Sequence, residues 1–408
     1  MMKTRRTFLK HSLGVAVLGS AVPGFFLRAA AAQPLSGTNA DPANVLVVVQ
    51  MGGGNDGLNT VVPYSDDDYH RVRPAIRIPE TGVLRIDDRV GLNPVMAPLL
   101  ELYKEGKVAV VQGVGYPNPN RSHFEATQIW ETGYPEHPGN TGWLGRYLDK
   151  TSPARPAAGD YSGTFKAVSL LDTIPTALEA QHVDVPAIGQ LNAFGYNAAN
   201  KSTANALYDG AKPGQSPYLS LIENTARDAM HGGEVLHAKT AAYKAAVSYP
   251  TDPFSRQLAQ AAAIIASGVG TRIVFVSIGS FDTHAGQRAQ QDRLLGYLAS
   301  GLHAFYTDLQ AHQLAGNVLV MTFSEFGRRV SQNASNGTDH GTAAPMFVLG
   351  GSVRGGLYGK QPSLTDLDHG DLKYNIDFRS VYATVLARWL GRDPGDVIAG
   401  DFQPLPLV

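Results

Sequence analysis

The chain contains no cysteine. That excludes disulfides, thiolate metal ligands, a thiol nucleophile and a lipid-modified cysteine anchor, so the apolar core must supply the stability. Charge is sparse as well: 17% of residues are Asp, Glu, Lys or Arg, and they nearly cancel at a net charge of −1. Such a balance supplies no basic field for nucleic acid or an anionic membrane, so neither is expected as a partner. Leu13–Leu27 is apolar but interrupted by Gly and Pro, and no other segment approaches the length of a membrane span. The glycine-rich Gly52-Gly53-Gly54-Asn55-Asp56-Gly57 lacks both the Lys-Ser/Thr of a P-loop and the spacing of a dinucleotide fingerprint. A nucleotide or redox cofactor is therefore disfavoured.

The first 32 residues read as an export signal. Arg5-Arg6-Thr7-Phe8-Leu9-Lys10 gives a basic front end, Leu13–Leu27 an apolar middle, and Ala30-Ala31-Ala32 a small-residue cleavage site before Gln33. Paired arginines followed by Phe-Leu-Lys look like the bacterial twin-arginine signal; an ordinary signal with a basic front end is the plainer alternative. The twin-arginine reading makes the export machinery a partner of the precursor and the mature protein periplasmic or secreted, with no stable membrane span after cleavage. Removing Met1–Ala32, which holds five basic residues and no acid, takes the net charge from −1 to −6.

Residues 33–43 then form a linker, and 44–408 one α/β domain. Apolar runs of strand length alternate with helical patterns, which predicts a mostly parallel central sheet with helices on both faces. Strands are expected at Val45–Gln50, Val108–Gly113, Lys166–Leu171, Ile273–Ile278, Val318–Phe323 and Pro345–Leu349. Helices are expected at Pro94–Glu105, Ser122–Thr132, Pro217–His231, Phe254–Ser267, Gln287–Gln313 and Phe378–Leu390. In Gln287–Gln313, Leu294, Leu298, Leu302, Phe305 and Leu309 recur at threes and fours and mark a face packed on the sheet. Residues 151–250 are rich in Ala, Gly, Asn, Ser and Pro and read as a cap or insertion over one end of the sheet. Asp66-Asp67-Asp68 reads as a solvated loop, because EF-hand spacing is absent.

The candidate chemistry sits in loops beside the strands, where an open α/β sheet builds polar sites. Val45–Gln50 leads to Asn55 and Asp56, Ile273–Gly279 to Asp282 and His284, and Val318–Phe323 to Glu325, Arg328 and Arg329. Asp339 and His340 precede the apolar run Ala344–Gly351. Three of these carboxylates, Asp56, Asp282 and Glu325, with His284 and His340 make a ligand set for one or two divalent metals. Each loop also has a plain structural use. Asp282 can cap the following helix, Asp339-His340-Gly341 can be a turn, and Glu325 can cap a short helix or pair with an arginine. Arg328 and Arg329 can instead bind an anionic substrate. The glycines before Asp56 let backbone pass close to a ligand, which makes Asp56 a candidate metal ligand and Asn55 a candidate substrate contact.

A fifth piece is Arg121-Ser122-His123-Phe124-Glu125, at the start of a predicted helix. Ser122 and Glu125 have capping-box spacing. The functional alternative is Ser122 as a nucleophile, its alkoxide favoured by a metal and by the helix dipole, with Arg121 and His123 flanking it.

These motifs in this order, GGNDGLNTVVPY, NRSHFEA, FDTHAGQ, TFSEFGRR, DHGTAAPMFVLGG and YATVLARWLG, span Asn44–Gly391. They resemble a family of twin-arginine-exported bacterial proteins of unknown function within the alkaline phosphatase and sulfatase superfamily. The resemblance implies an alkaline phosphatase-like fold and two metals, zinc or related, around a Ser or Thr nucleophile. It implies that Asp282, His284 and His340 hold one metal, as zinc, and that Asp56, Glu325 and Ser122 hold the other. The chain departs from the superfamily at Phe326, where Asp-His-Gly would place a histidine, and in the short spacing of Asp282 to His284. The second site then either takes Zn²⁺, Mg²⁺, Mn²⁺ or Ca²⁺ on oxygen ligands, or recruits Asn55 or His123, or is empty. The formylglycine sulfatase context is absent around Ser122. The implied function is a metal-dependent hydrolase of phosphate or related esters on small molecules or polymers. The competing expectation is a non-catalytic binding protein on a degenerate hydrolase scaffold.

Overall fold

The computed structural model describes residues 44–136, 139–152, 165–194 and 232–408. The expected signal and linker, and the expected helix Pro217–His231, lie outside these residues. In chain order the strands are β1 (Val45–Met51), β2 (Val61–Val62), β3 (Leu84–Arg85), β4 (Gly91–Leu92), β5 (Val108–Gly115), β6 (Ala167–Ser169), β7 (Ile273–Ile278), β8 (Val318–Phe323), β9 (Ala344–Gly350), β10 (Gly356–Tyr358), β11 (Leu367–Asp368), β12 (Asp371–Leu372) and β13 (Ile376–Asp377). The helices that matter here are α1 (Asp67–Val72), α2 (Ala97–Lys104), α3 (His123–Thr132), α4 (Trp143–Thr151), α5 (Pro253–Ala266), α6 (Gln287–Ala311) and α7 (Phe378–Thr384).

The main sheet has the order β10-β5-β9-β8-β1-β7-β6, with β13 paired to β5. The β1 sequence VLVVVQM is apolar nearly throughout because both faces are covered. Val45, Val47 and Val49 face a core completed by α2, α5 and α6, including Leu99, Leu258 and Leu298. Leu46 and Val48 face the opposite core, with Trp130 of α3, Leu144 of α4 and Tyr382 of α7. This is the two-sided α/β arrangement that the alternating pattern predicts.

Every pairing in this sheet is parallel except those of β9, which runs antiparallel to both β5 and β8. The consequence is functional. The loops after β1, β5, β7 and β8 leave from one edge of the sheet. A reversed β9 begins at that same edge, so the residues just before it, Asp339 and His340, arrive where the other loops end.

Several elements differ from expectation. The Asp66–Asp68 run opens α1 rather than forming a loop: Asp66 is the N-cap and its side chain accepts from the Asp68 amide at 2.9 Å. Acids in a first helical turn complement the helix dipole, which explains the run without a metal. The predicted helix Phe378–Leu390 is α7 followed by a π-helical stretch, Val385–Trp389. Within 151–250, β6 is an edge strand of the main sheet. Residues 153–164 and 195–231 of that stretch lie outside the described set.

Glu131, on α3, is 5% exposed, and burial pushes its carboxyl up to about 7 against hydrogen bonds from Thr176 and Ala177. A carboxyl whose folded value exceeds its unfolded one near 4.5 costs stability as pH rises through that window. Glu131→Gln is therefore expected to raise stability by about 2–3 kcal/mol at pH 8 and by little at pH 4.5, checked by urea unfolding at both pH values.

Candidate metal centre

Buried hydrophobic anchors set the site. After β7, Phe281 enters the core and its amide donates to Gly52 O at 3.1 Å, tying the β7 loop to the β1 loop. Gly53 adopts φ +112°, and a Cβ there would lie 2.5 Å from the Asp282 amide nitrogen, so only glycine permits this approach. Asp282 is left at the sheet edge with its side chain 46% exposed.

Three imidazoles surround one oxygen of that carboxylate. Asp282 Oδ1 lies 3.0 Å from His284 Nε2, 3.2 Å from His340 Nε2 and 3.5 Å from His123 Nε2. The opposite ring nitrogens all face oxygen. His123 Nδ1 meets Glu325 Oε1 at 2.7 Å, His340 Nδ1 meets the Arg121 carbonyl at 2.8 Å, and His284 Nδ1 lies 3.4 Å from Asp339 Oδ1. A carbonyl or a carboxylate accepts, so a proton on each Nδ1 would satisfy these contacts and leave each Nε2 a lone pair for a metal; without a metal, the Asp282 carboxylate draws an Nε2 proton instead. His123 Nε2 is buried and has no hydrogen-bond partner. His284 Nε2 and His340 Nε2 stand 3.0 Å apart. That spacing suits either one N–H···N hydrogen bond between the rings or two nitrogens on one cation.

The donor set fits a divalent metal. His123, Asp282 and His340 each offer a ligand atom, all within 4.8 Å of one another. Ligands at about 2.0–2.1 Å in a tetrahedron are about 3.3 Å apart, close to the spacings seen around Asp282 Oδ1. Imidazoles whose far nitrogen donates to carboxylate or carbonyl are the usual arrangement in metal sites, since the outer partner fixes tautomer and ring orientation.

Charge in the site is organised by Arg328. Its guanidinium is buried and donates to Asp282 Oδ1 at 2.6 Å, and also to Gly54 O, Thr338 O, Phe281 O and Gly53 O. Burial acts to raise the Asp282 carboxyl, but the Arg328 hydrogen bond and charge, with His340 and His284, together hold it at about 2. Asp339 is also held below the usual carboxylate range, chiefly by the Asn333 hydrogen bond. Phe326 lies under the histidines, its ring 4.8 Å from that of His123 and 4.7 Å from that of His340. The side chain that replaces an expected histidine ligand is thus an apolar floor for two observed imidazoles.

A family model, described as protein of unknown function (DUF1501), matches residues 106–401. The chain belongs to the DUF1501 family. No curated protein matches it in sequence. Solved structures similar to this DUF1501 chain include a protein in the alkaline phosphatase superfamily from Vibrio parahaemolyticus, at TM-score 0.36 and 8% identity, covering 82% of this chain and 66% of that one. The lipoteichoic acid synthase LtaP from Listeria monocytogenes is similar at TM-score 0.35 and 11% identity, covering 89% and 77%. The sulfatase PsFucS1 from Pseudoalteromonas sp. is similar at TM-score 0.39 and 11% identity, covering 89% and 71%. These superpositions are loose and carry no residue role to this chain.

The expected residues divide in this DUF1501 site. Asp282, His284 and His340 come together, and His123 joins them. Glu325 Oε1 accepts from the Gly53 amide at 2.8 Å and meets His123 Nδ1 at 2.7 Å, so the β1 loop and an imidazole both engage it. Asp56 is a correction: it is fully buried, with Oδ2 2.6 Å from Arg73 Nη1, and a guanidinium already supplies the counter-charge that a metal would. Asn55 is buried too, its Oδ1 accepting from Thr60 and Gln291, so it contacts no substrate. Arg328 is likewise corrected from substrate contact to staple, because its fork is spent on the loops around Asp282. Ser122 is the exposed N-cap of α3, and its hydroxyl makes no cap bond; Glu125 reaches Asn120 instead, so the capping box does not form. Arg121 contributes its carbonyl to His340 and its guanidinium to Asp371. Sequence reasoning missed Asp371, whose short hairpin has no periodic signal.

Proposed function

We propose that this protein is an exported hydrolase of phosphate or related esters that depends on a divalent metal. The observation that carries the reading is the convergence of three Nε2 atoms on Asp282 Oδ1 while all three Nδ1 atoms are engaged by oxygen. His123, Asp282, His284 and His340 would hold the ion, and a set of three imidazoles and one carboxylate suits zinc. When bound, the metal supplies Lewis-acid polarisation of an ester oxygen.

The chain's own residues do the rest. Arg328 keeps Asp282 ionised, Glu325 and the Arg121 carbonyl fix the tautomers of His123 and His340, and Phe326 holds both rings. Ser122, exposed at the start of α3 and preceding His123 in the chain, is the hydroxyl assigned to attack the ester, favoured by the helix N-terminus. Export by the twin-arginine route would place the enzyme in the periplasm or outside the cell, acting on a small or polymeric ester. No helix among the described residues is long and apolar enough to cross a membrane.

The test is elemental analysis and turnover of mature protein purified without chelator. About one equivalent of zinc is expected, with hydrolysis of an aryl phosphate mono- or diester that EDTA removes and Zn²⁺ restores. Ser122→Ala is expected to abolish turnover; retained activity would exclude Ser122 as nucleophile and leave a metal-activated water. A second reading, a non-catalytic binding protein, is favoured by one observation: the residues implied for a second metal do not gather. Less than about one tenth of an equivalent of metal, with no rise in Tm on adding Zn²⁺ or Mn²⁺, would establish that reading instead.

A further inference from the structure

Two guanidinium groups stand beside the metal centre and are not part of it. Arg121 Nη2 lies 2.5 Å from Asp371 Oδ2, and Arg329 Nε lies 3.7 Å from Asp371 Oδ1. The Asp371 side chain is 1% exposed, whereas those of Arg121 and Arg329 are 41% and 36% exposed. Burial pushes the Asp371 carboxyl up and the two arginines pull it down. One cation suffices to neutralise one carboxylate. Two cations give the trio itself one positive charge, with the Asp368 and Asp339 carboxylates acting from its edges; both guanidinium groups are more than a third exposed, and their planar donors match an oxyanion.

Backbone fixes both arginines to the metal centre. The Arg121 carbonyl takes the His340 Nδ1 hydrogen bond, and the Arg329 amide donates to Asp339 O at 3.0 Å, one residue before His340. Asp371 is delivered by the β11–β12 hairpin, whose turn residues His369 and Gly370 both have positive φ, 51° and 89°, as a two-residue type I′ turn requires. A Cβ at Gly370 would lie 3.2 Å from Arg329 Nη1, so glycine lets the hairpin tip sit against that guanidinium.

We propose that Arg121 and Arg329, clamped on Asp371, form an anion subsite for a second acidic group of the substrate, beyond the ester that is cleaved. The substrate class is then a polyanionic ester, one carrying a further phosphate, sulfate or carboxylate. The inference rests on the hydrolase reading only in calling the ligand a substrate, so its test is made with the metal removed.

EDTA-treated mature protein is labelled with phenylglyoxal, with and without inorganic phosphate, sulfate or acetate at matched ionic strength, and the modified arginines are mapped by mass spectrometry. Phosphate or sulfate is expected to slow labelling of Arg121 and Arg329 at least threefold and to leave the exposed Arg71 unchanged; protection by acetate in place of these assigns a carboxylate. Equal labelling of Arg121 and Arg329 with and without all three anions would overturn the proposal. In parallel, Arg121→Gln/Arg329→Gln is expected to weaken phosphate binding at least tenfold by calorimetry, while Arg121→Lys/Arg329→Lys retains most of it; undiminished binding in the Gln variant would also overturn it. Protection without any ester turnover would keep the subsite and sink the hydrolase reading, and turnover without protection would do the reverse.

Discussion

Replacing Asp282 by alanine is expected to abolish the proposed metal binding and to loosen the loops that carry the site. Asp282 Oδ1 is the atom on which His123, His284 and His340 converge, so its removal leaves three imidazoles with no anionic ligand. Changes in outer partners alone lower metal affinity about 10–100-fold, so loss of the central carboxylate should cost more than about 100-fold. The same change leaves the Arg328 guanidinium with four carbonyl acceptors and no counter-charge. Because Asp282 is nearly half exposed, water screens part of that loss, and about 1–2 kcal/mol of stability is the expected fall. Asp282→Asn separates the two effects: it keeps an acceptor for Arg328 but not the charge. It should bind metal as poorly as the alanine variant and unfold closer to wild type. Chelator competition and urea unfolding measure the two quantities. An alanine variant with wild-type zinc affinity would remove Asp282 from the centre. The pH behaviour follows from the same contacts. A carboxyl held at about 2 rather than 3.8 contributes stability above pH 3.8 and loses it as pH falls towards 2.

The parts of the molecule legible in the sequence were those carried by burial. β7 and β8 fall on the predicted residues, and α6 starts at the predicted Gln287, because an apolar run or a three-four repeat is a direct record of what a segment buries. Asp282, His284 and His340, which the structure brings together, each adjoin such a run. Glu325 adjoins one as well, and its contact with His123 Nδ1 depends on ångströms that spacing does not encode. Asp371 and Arg329 were not resolved as a pair, because a hairpin of two-residue strands has no periodicity, and two adjacent arginines look alike until one is buried. Arg328 and Arg329 differ by a single step along the chain; one enters the loops around Asp282 and the other turns outward to Asp371. Asp56 shows the same limit most clearly, since its partner Arg73 is seventeen residues away on no shared motif.

Arg73→Met is expected to destabilise the fold by about 3–5 kcal/mol, the range for breaking one side of a buried ion pair. Both side chains of the Arg73–Asp56 pair are 0% exposed. Arg73 also donates to Val330 O at 2.7 Å, Arg329 O at 2.8 Å and Asn59 Oδ1 at 3.1 Å, so it joins the β1 loop to the segment that carries Arg329. Most of the penalty comes from stranding Asp56 as an unpaired buried anion. Asp56→Asn introduced with Arg73→Met should therefore recover at least about 2 kcal/mol, a coupling that a double-mutant cycle in urea reads directly. Simple additivity would mean that Asp56 does not depend on Arg73 for its charge. The single variant Asp56→Asn decides what the pair is for. If Asp56 is a strut under the β1 loop, zinc content at saturation should stay at the wild-type value while stability falls. A fall in zinc content at saturation as well would overturn that assignment.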